Sequence, residues 1–592
     1  IEAYQNQQPA KIGWAVVDGS ELTNCRRWIT RSDKMGVDPF GQQTVRAMMH
    51  PGYQNPTYTS PAGPIDPWLS VLSVVSSVDE SPICVMANLS MHYFGGGGFS
   101  ADYFGEVSRA LRQRTENKFK KELPDFVGIM SQGTSGDLHW MDYSRPRQSI
   151  SRQQYSDGVA DRVMEALDSI EYQSDHQLAM AEKRVNIGLR LPTKDRRQWA
   201  RPLNAGRGDS LPRNRQEVYA EQVEWIHANP VAEVVLQAVR IGELGITAIP
   251  NEVYGITGLK LKRQSPLKAT FNLELANGAT GYIPPPEQHL LGGYTTWPAR
   301  TAGLVKEAEP LIVETLLSLL EQVAEEKRQP LTTPYSAYGR DLQSRNPIAH
   351  WAFNDMTAER VADSTNVNPA TYHGGVALFL PGPDAAGFQA AGFQAAGFRS
   401  DVYGNRSVYL AGGHVDAVIK QQPDQYSVSM WFQNMLPVNV RDTTCGLLLT
   451  RAETLEVAGL GEGEHAGKLV LRHGGKTWAG KTVVSERNWQ CVTLTKDAKS
   501  IHIYLDGRAE PEIEAPVSAI APLTRLLIGS DGCGSTLDGK VDEVAVFDHA
   551  LTSDDIVAMY KISSMVAPPQ PKPEVVLGAK PADADSRQEY NA

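Results

Sequence analysis

Residues 84–111 read CVMANLSMHYFGGGGFSADYFGEVSRAL, an apolar run closed by His92, a glycine loop Gly95–Gly98, and a segment opened by Asp102. The apolar run follows VLSVVSSV across the turn residues Asp79–Pro82, so residues 71–92 read as two strands joined by a turn. After Asp102, Tyr103, Val107 and Leu111 recur every fourth residue with charges between them, the signature of an amphipathic helix. A strand that ends on a polar side chain and turns through glycines into a helix is how α/β folds present functional groups.

The same grammar continues outward. DFVGIM (125–130) is strand-like, and SDGVADRVMEALDSI places Val159, Val163 and Leu167 on one helix face. VVLQAVRIGELGITAIP (234–250) reads as strand, Gly-containing turn and strand, and LVKEAEPLIVETLLSLLEQVAEEK (304–327) as a long closing helix. Interleaved strands and helices predict an α/β domain, a mixed sheet flanked by helices, over residues 1–330. The basic stretch from Lys194 to Arg215, which contains prolines, is expected to be an exposed loop, and the RGD inside it carries no weight.

From about His350 the character changes. SVSMWFQN, KLVLRHG, WQCVTLTKD, SIHIYLDGR, RLLIGS and KVDEVAVFD are strand-length and separated by turn residues, which predicts an all-β antiparallel sandwich over 345–562 after a linker at 331–344. The tandem AAGFQAAGFQAAGF (385–398) reads as an exposed loop expanded by slippage. Residues 563–592, rich in Pro, Ala and charge, are expected to be a disordered tail.

Composition is that of a globular protein: 592 residues, 41% hydrophobic, 21% charged. A net charge of -11 without a sizeable basic patch argues against nucleic acid, and no apolar run approaches the ~18 residues of a membrane span. Five cysteines lack CxxC spacing, and three of them (Cys445, Cys491, Cys533) leave room for one disulfide in the last third. The chain starts at Ile1 in what reads as the middle of a domain, so part of it is expected to lie upstream.

Polar residues at the ends of apolar runs are the candidate site: His92, Glu252 closing ITAIPNE, and Tyr282 and Tyr294 in NGATGYIPPPEQHLLGGY. Imidazole, carboxylate and phenol are what a hydrolytic zinc site needs if the fold gathers them. Alternative structural readings exist for their neighbours. Asp102 would cap its helix or act in catalysis, Asp137 is a catalytic candidate that would otherwise hold its loop through backbone N–H groups, and Cys84 would be inert core.

Five segments in this order resemble the neutral/alkaline non-lysosomal ceramidases: NCRRW (24–28), ANLSMHYFGGGGFSADYFGEVSRAL, MSQGTSGDLHW (130–140), GITAIPNEVYGITG (245–258) and LANGATGYIPPPEQHLLGGY (275–294). The resemblance covers residues 1–328. It implies a one-zinc amidohydrolase cleaving the amide of an acylated sphingoid base, with His92, Glu252 and Tyr282 as zinc ligands and Tyr294 beside the substrate carbonyl. Two departures stand out. The family's upstream His-x-His has no counterpart, the only histidine before His92 being His50. The family's Ser-Asn-x-Gly-Asp reads Gly133-Thr134-Ser135-Gly136-Asp137, so its serine falls on Gly133, leaving Thr134, Ser135 or a zinc-bound water as nucleophile.

In the second half, HWAFND, NRSVYLAGGHVD, YSVSMWFQ and LDGKVDEVAVFDHALT resemble laminin-G-like, concanavalin A-like jelly rolls. Val541, Val544 and Val546 would pack the core, with Asp542 and Glu543 facing solvent or satisfying turns. Asp531, Asp538 and Asp542 are candidate Ca²⁺ ligands, with turn capping as the plainer role. The leading expectation is a secreted, periplasmic or cell-surface zinc amidohydrolase acting on a lipid-like amide, with a lectin-like module for a glycan or protein ligand. The alternative is a non-catalytic extracellular binding protein with a degenerate hydrolase half.

Overall fold

The computed structural model describes residues 2–569 except 209, 333, 390–393, 396, 397, 400–404, 442, 519 and 520. Residues 390–393, 396 and 397 of the tandem AAGFQ repeat and residues 570–592 of the expected tail lie outside the described residues.

After a short helix α1 (Glu2–Gln5), the first half builds two four-stranded sheets rather than one. The first has the order β1 (Ala10–Asp18), β6 (Trp68–Ser76), β7 (Pro82–Leu89), β8 (Val127–Gln132), antiparallel except for β7–β8. The second has the order β10 (Leu178–Gly188), β11 (Val231–Ile241), β12 (Leu244–Ile249), β14 (Ala269–Glu274), with β12–β14 parallel. Trp14, Val16, Leu72 and Met86 of the first sheet pack on Leu244, Phe271 and Leu273 of the second.

Helices cover the outer faces. Tyr103, Val107 and Leu111 of α2 (Asp102–Phe119) and Val159 and Val163 of α3 (Arg152–Leu167) pack on Leu69, Val71, Val85 and Ala87. On the other side, α7 (Ala308–Ala324) buries Ile312, Leu316 and Leu320 against Val234, Leu236 and Ala238. The result is a four-layer α/β/β/α stack, each apolar sheet face covered.

The expected loop at Lys194–Arg215 is instead helix α4 (Lys194–Arg207), running to the start of α5 (Arg215–Ala228). The Thr193 side chain accepts from Arg196 N–H as an N-cap, and Ala200 packs on Ala220 and Val223 of α5, so tertiary packing outweighs Pro202 inside the helix.

The second half is a two-sheet antiparallel sandwich. One sheet runs Val376–Pro381, Arg406–Leu410, Gly539–Phe547, Tyr426–Asn434, Trp489–Lys496, Ser500–Leu505, Ile513–Pro516, with Ala349–Trp351 also on Gly539–Phe547. The other is seven-stranded, from Ala370–His373 to Lys476–Val483. Within 331–344, expected as a linker, Ala337–Ser344 form helix α8, whose Tyr338 and Leu342 are buried beside Trp431 and Phe547. All five cysteines are free, with Cys445 and Cys491 buried and Cys533 exposed, so the disulfide for which the last third left room is not formed.

Two acidic residues depart from the alternating pattern. Asp542 and Glu543 are both buried: Asp542 accepts from the Asn405 amide, and Glu543 lies 2.6 Å from His350 Nε2. The strand Gly539–Phe547 is buried along its whole length, so side chains on either face are covered; its pairing with Tyr426–Asn434 shifts register between Ser429 and Trp431, and Glu543 has φ 45°, which marks a bulge there. The three candidate Ca²⁺ ligands go to separate partners: Asp531 to the N–H groups of Cys533 and Ser535, Asp538 to Arg46, and Asp542 to Asn405.

The halves share a core. Met49, Trp68, Tyr254, Ile256 and Leu259 belong to the same buried cluster as the sandwich interior, and Ile29, Ala47, Ala62 and Leu291 pack on Ala377, Leu380, Tyr409 and Met435. Across this seam Arg46 Nη2 meets Asp538 Oδ1 at 2.7 Å, each side chain 4% exposed. The Tyr409 hydroxyl sits 2.7 Å from that oxygen and 2.8 Å from Thr59 Oγ1.

Candidate functional site

Three segments bring the predicted side chains together. His92 lies just past β7. Glu252 and Tyr282 open β13 (Glu252–Val253) and β15 (Tyr282–Ile283), which pair in parallel with these two residues as direct partners. His92 Nδ1 is 3.8 Å from Glu252 Oε2, and the Tyr282 and Tyr294 rings meet edge to face at 5.7 Å. Gly281 makes this corner feasible: its φ of 77° suits glycine, and its carbonyl accepts from Glu252 N–H at 3.1 Å.

At the centre stands Arg26, which the sequence marked only as part of NCRRW. Its Nη2 donates to the Tyr282 hydroxyl at 3.2 Å and to Gly136 O at 3.0 Å, and lies 3.4 Å from His92 Nδ1. Its Nη1 is 3.4 Å from His50 Nε2, whose ring is tied through Nδ1 to the Tyr143 hydroxyl at 2.6 Å. His139 completes the group, with ring centroids 5.6 Å from His50 and 6.3 Å from His92.

Burial, then the Arg26 charge, hold these imidazoles neutral: His92 is pushed down to about 3 and His50 to about 4. Burial raises the Glu252 carboxyl above its ordinary value, against the pull of the Tyr282 hydroxyl and Arg26. Glu252 Oε2 is buried and accepts no hydrogen bond.

The loop 133–137 does not deliver its hydroxyls to this cluster. Thr134 and Ser135 are fully buried, Thr134 Oγ1 facing Ser90 Oγ at 3.3 Å and Ser135 Oγ donating to Glu274 Oε1. Asp137 is fully buried too, and its Oδ1 accepts the Gly255 N–H at 2.8 Å, a loop-holding bond. Asp102 pairs with Arg152 at 2.6 Å and with the Tyr93 hydroxyl at 2.7 Å; the N-cap position falls on Ala101.

Glu274, absent from the sequence candidates, braces the site from behind. It accepts the N–H groups of Ser135 at 2.9 Å and Val253 at 3.0 Å, fixing the Asp137 loop and the Glu252 strand to each other. The signal was there: Glu274 closes the apolar strand ATFNLE as Glu252 closes ITAIPNE.

Among the described residues no three His, Cys, Asp or Glu side chains gather to hold a metal. His92 and Glu252 do come together, with a phenol as third donor. A neutral imidazole and a buried carboxylate oxygen without a hydrogen bond fit the ligand chemistry of a catalytic zinc with an open position. Arg26, bonded to two of the three donors, is the group such an ion would have to displace.

Residues 412–557 match the family described as the concanavalin A-like lectin/glucanases superfamily. Among solved structures the chain is similar to neutral ceramidase from Pseudomonas aeruginosa, at 13% identity and TM-score 0.37, covering 69% of this chain and 70% of that one. A ceramidase complexed with C2 shares 12% identity at TM-score 0.37, over 63% of this chain and 64% of that chain's length. Domain 4 of an extracellular arabinanase from Geobacillus stearothermophilus, in complex with arabinotriose, shares 15% identity at TM-score 0.26, over 36% of this chain and 98% of that domain. No curated protein matches. Among the described residues no helix is long and apolar enough to cross a membrane.

Proposed function

We propose that the first half is a zinc-dependent amidohydrolase acting on an N-acyl amide of ceramide-like chemistry. The observation that carries this reading is the juxtaposition of His92 Nδ1 and Glu252 Oε2 at 3.8 Å beside the Tyr282 hydroxyl, with that carboxylate oxygen buried and accepting no hydrogen bond. His92, Glu252 and Tyr282 would hold the ion, which when bound supplies Lewis acidity and an activated water near neutral pH. In this reading Tyr294, edge-on to Tyr282, would donate to the oxygen of the attacked carbonyl, and Arg26 would orient the same group. Since Thr134 and Ser135 point into the protein, water is the nucleophile in this reading.

The jelly roll fits a glycan- or protein-binding role on the outside of a cell or in the periplasm. A cavity of about 570 Å³ between the halves, with Trp28, Tyr58 and Tyr143 facing Gln433, Arg487 and Lys540, offers the aromatic and polar surface such a ligand uses.

One observation favours a second reading. Arg26 already supplies a cation to His92 and Tyr282, as a non-catalytic binding protein that had lost its metal would require. Zinc analysis of the purified chain, with N-acyl amide hydrolysis by the parent and His92→Ala, separates the two. Stoichiometric zinc and activity abolished in the variant support the hydrolase. No zinc and no hydrolysis by the parent supports the binding protein, whereas activity unchanged in the variant removes His92 from the mechanism.

A further inference from the structure

Helix α6 (Gly255–Gln264), the turn Pro286–Leu291, helix α7 and the loop at 357–359 enclose a cavity of about 520 Å³. Its charged floor does not balance. Lys260 Nζ donates to Glu309 Oε1 at 2.9 Å, and that same oxygen accepts from the Thr257 hydroxyl at 2.7 Å, so Glu309 is matched. Glu287 lines the same cavity at 6% exposure, and its Oε1 is buried with no hydrogen-bond partner. One buried lysine thus serves two buried carboxylates.

A buried carboxylate without a donor is costly to keep ionised. Burial accordingly holds the Glu287 carboxyl up to about 7, with Lys260 pulling down and Glu309 pushing up. Beside this floor stand Pro310, Val313, Leu317 and Leu331, an apolar wall, with Gln264, Glu314, Thr357 and Glu359 also lining the cavity. The combination is one missing positive charge next to a greasy surface.

We propose that this cavity binds a ligand joining a primary ammonium group to an apolar chain, the ammonium donating to Glu287 and the chain lying along Val313, Leu317 and Leu331. A metal ion is the poorer match: among the described residues no three His, Cys, Asp or Glu side chains gather to hold one, and Lys260 already occupies Glu309. None of the cavity's residues belongs to the His92 cluster, so the proposal stands whether or not the hydrolase reading does. The cavity is nevertheless close to that cluster in the chain: α6 follows Glu252 directly, and the turn Pro286–Leu291 lies between Tyr282 and Tyr294.

The test is isothermal calorimetry on the full chain with n-octylamine and, as an uncharged probe of the same length, 1-octanol. Octylamine is expected to bind saturably at one site, at least tenfold tighter than octanol. Glu287→Gln should weaken octylamine tenfold or more and leave octanol unchanged. Ala358→Trp, at the half-exposed rim, should block both probes and keeps the test open if the glutamine variant folds poorly.

At pH 7 octylamine binding should also release a proton from Glu287, read as a heat that varies with buffer ionisation enthalpy and is lost in Glu287→Gln. The other charged and titratable groups facing Glu287 are Lys260 from α6, Glu309 and Glu314 from α7, and Glu359 and Tyr372 from the sandwich. No saturable binding, equal affinity for amine and alcohol, or full octylamine affinity in Glu287→Gln would overturn the proposal.

Discussion

Replacing Asp538 with Asn tests whether the two halves stand as one cooperative body. Asp538 accepts from Arg46 Nη2 at 2.7 Å, from the Tyr409 hydroxyl at 2.7 Å and from Ser32 N–H at 3.2 Å. Both members of the ion pair are 4% exposed, so the variant leaves a guanidinium buried without its counter-charge. Removing one partner of such a pair costs about 3–5 kcal/mol, against about 0–1 for a surface pair. The assay is urea unfolding followed by the fluorescence of the eleven tryptophans, among them Trp28 and Trp140 in the first half and Trp351 and Trp431, fully buried, in the sandwich. Fluorescence and far-ultraviolet circular dichroism should shift together to lower urea. The double change Arg46→Met with Asp538→Leu should recover most of the loss, since an apolar pair of similar volume suits the Ile29–Tyr409 seam. A loss below about 1 kcal/mol, or a sandwich transition that moves while the first half stays put, would refute the reasoning.

Other outcomes follow from the same geometry. Tyr294→Phe should lower kcat on an N-acyl amide by about a hundredfold with little change in KM, if its hydroxyl serves the developing oxyanion. Arg26→Ala should raise zinc affinity, measured by competition with a chromogenic chelator, because His92 and Tyr282 lose a competing partner. Gly281→Ala should destabilise the chain by more than about 1 kcal/mol and disturb the Glu252–Tyr282 pairing, since a Cβ there would sit 2.4 Å from Thr301 O at a φ of 77°. Glu287, raised from 4.5 to about 7, adds stability that is fully present below pH 4.5 and lost as pH rises through 7. Thermal melts of Glu287→Gln between pH 4.5 and 8 should therefore be flatter than those of the parent, by up to about 3 kcal/mol.

What the sequence disclosed and what it withheld have physical reasons. His92, Glu252 and Tyr282 were legible because a polar group at the end of an apolar strand needs a partner, and strand ends converge in α/β folds. Arg26 was not, because its partners His92 and Tyr282 lie 66 and 256 residues away and nothing local marks a guanidinium that reaches between them. Apolar strand faces in the first half announced burial but not by what, so two facing sheets read as one. The hydroxyls of Thr134 and Ser135 fitted a nucleophile by position in the motif; only their buried partners, Ser90 for Thr134 and Glu274 for Ser135, show where they point. In the sandwich, Asp542 and Glu543 read as facing solvent or satisfying turns, and nothing in composition shows that both faces of their strand are covered.

The shared core has a practical meaning for anyone who would study the halves apart. A cut near residue 345, where composition changes, would strip Met49, Trp68, Tyr254, Ile256 and Leu259 of their covering and leave a contiguous greasy surface on the first piece. His50 and Glu252 are immediate chain neighbours of that surface, next to Met49 and two residues before Tyr254. An amputated first half is therefore expected to aggregate, and whatever survives would carry a distorted His50–Glu252 region, so a negative activity result on it would say nothing about the intact chain.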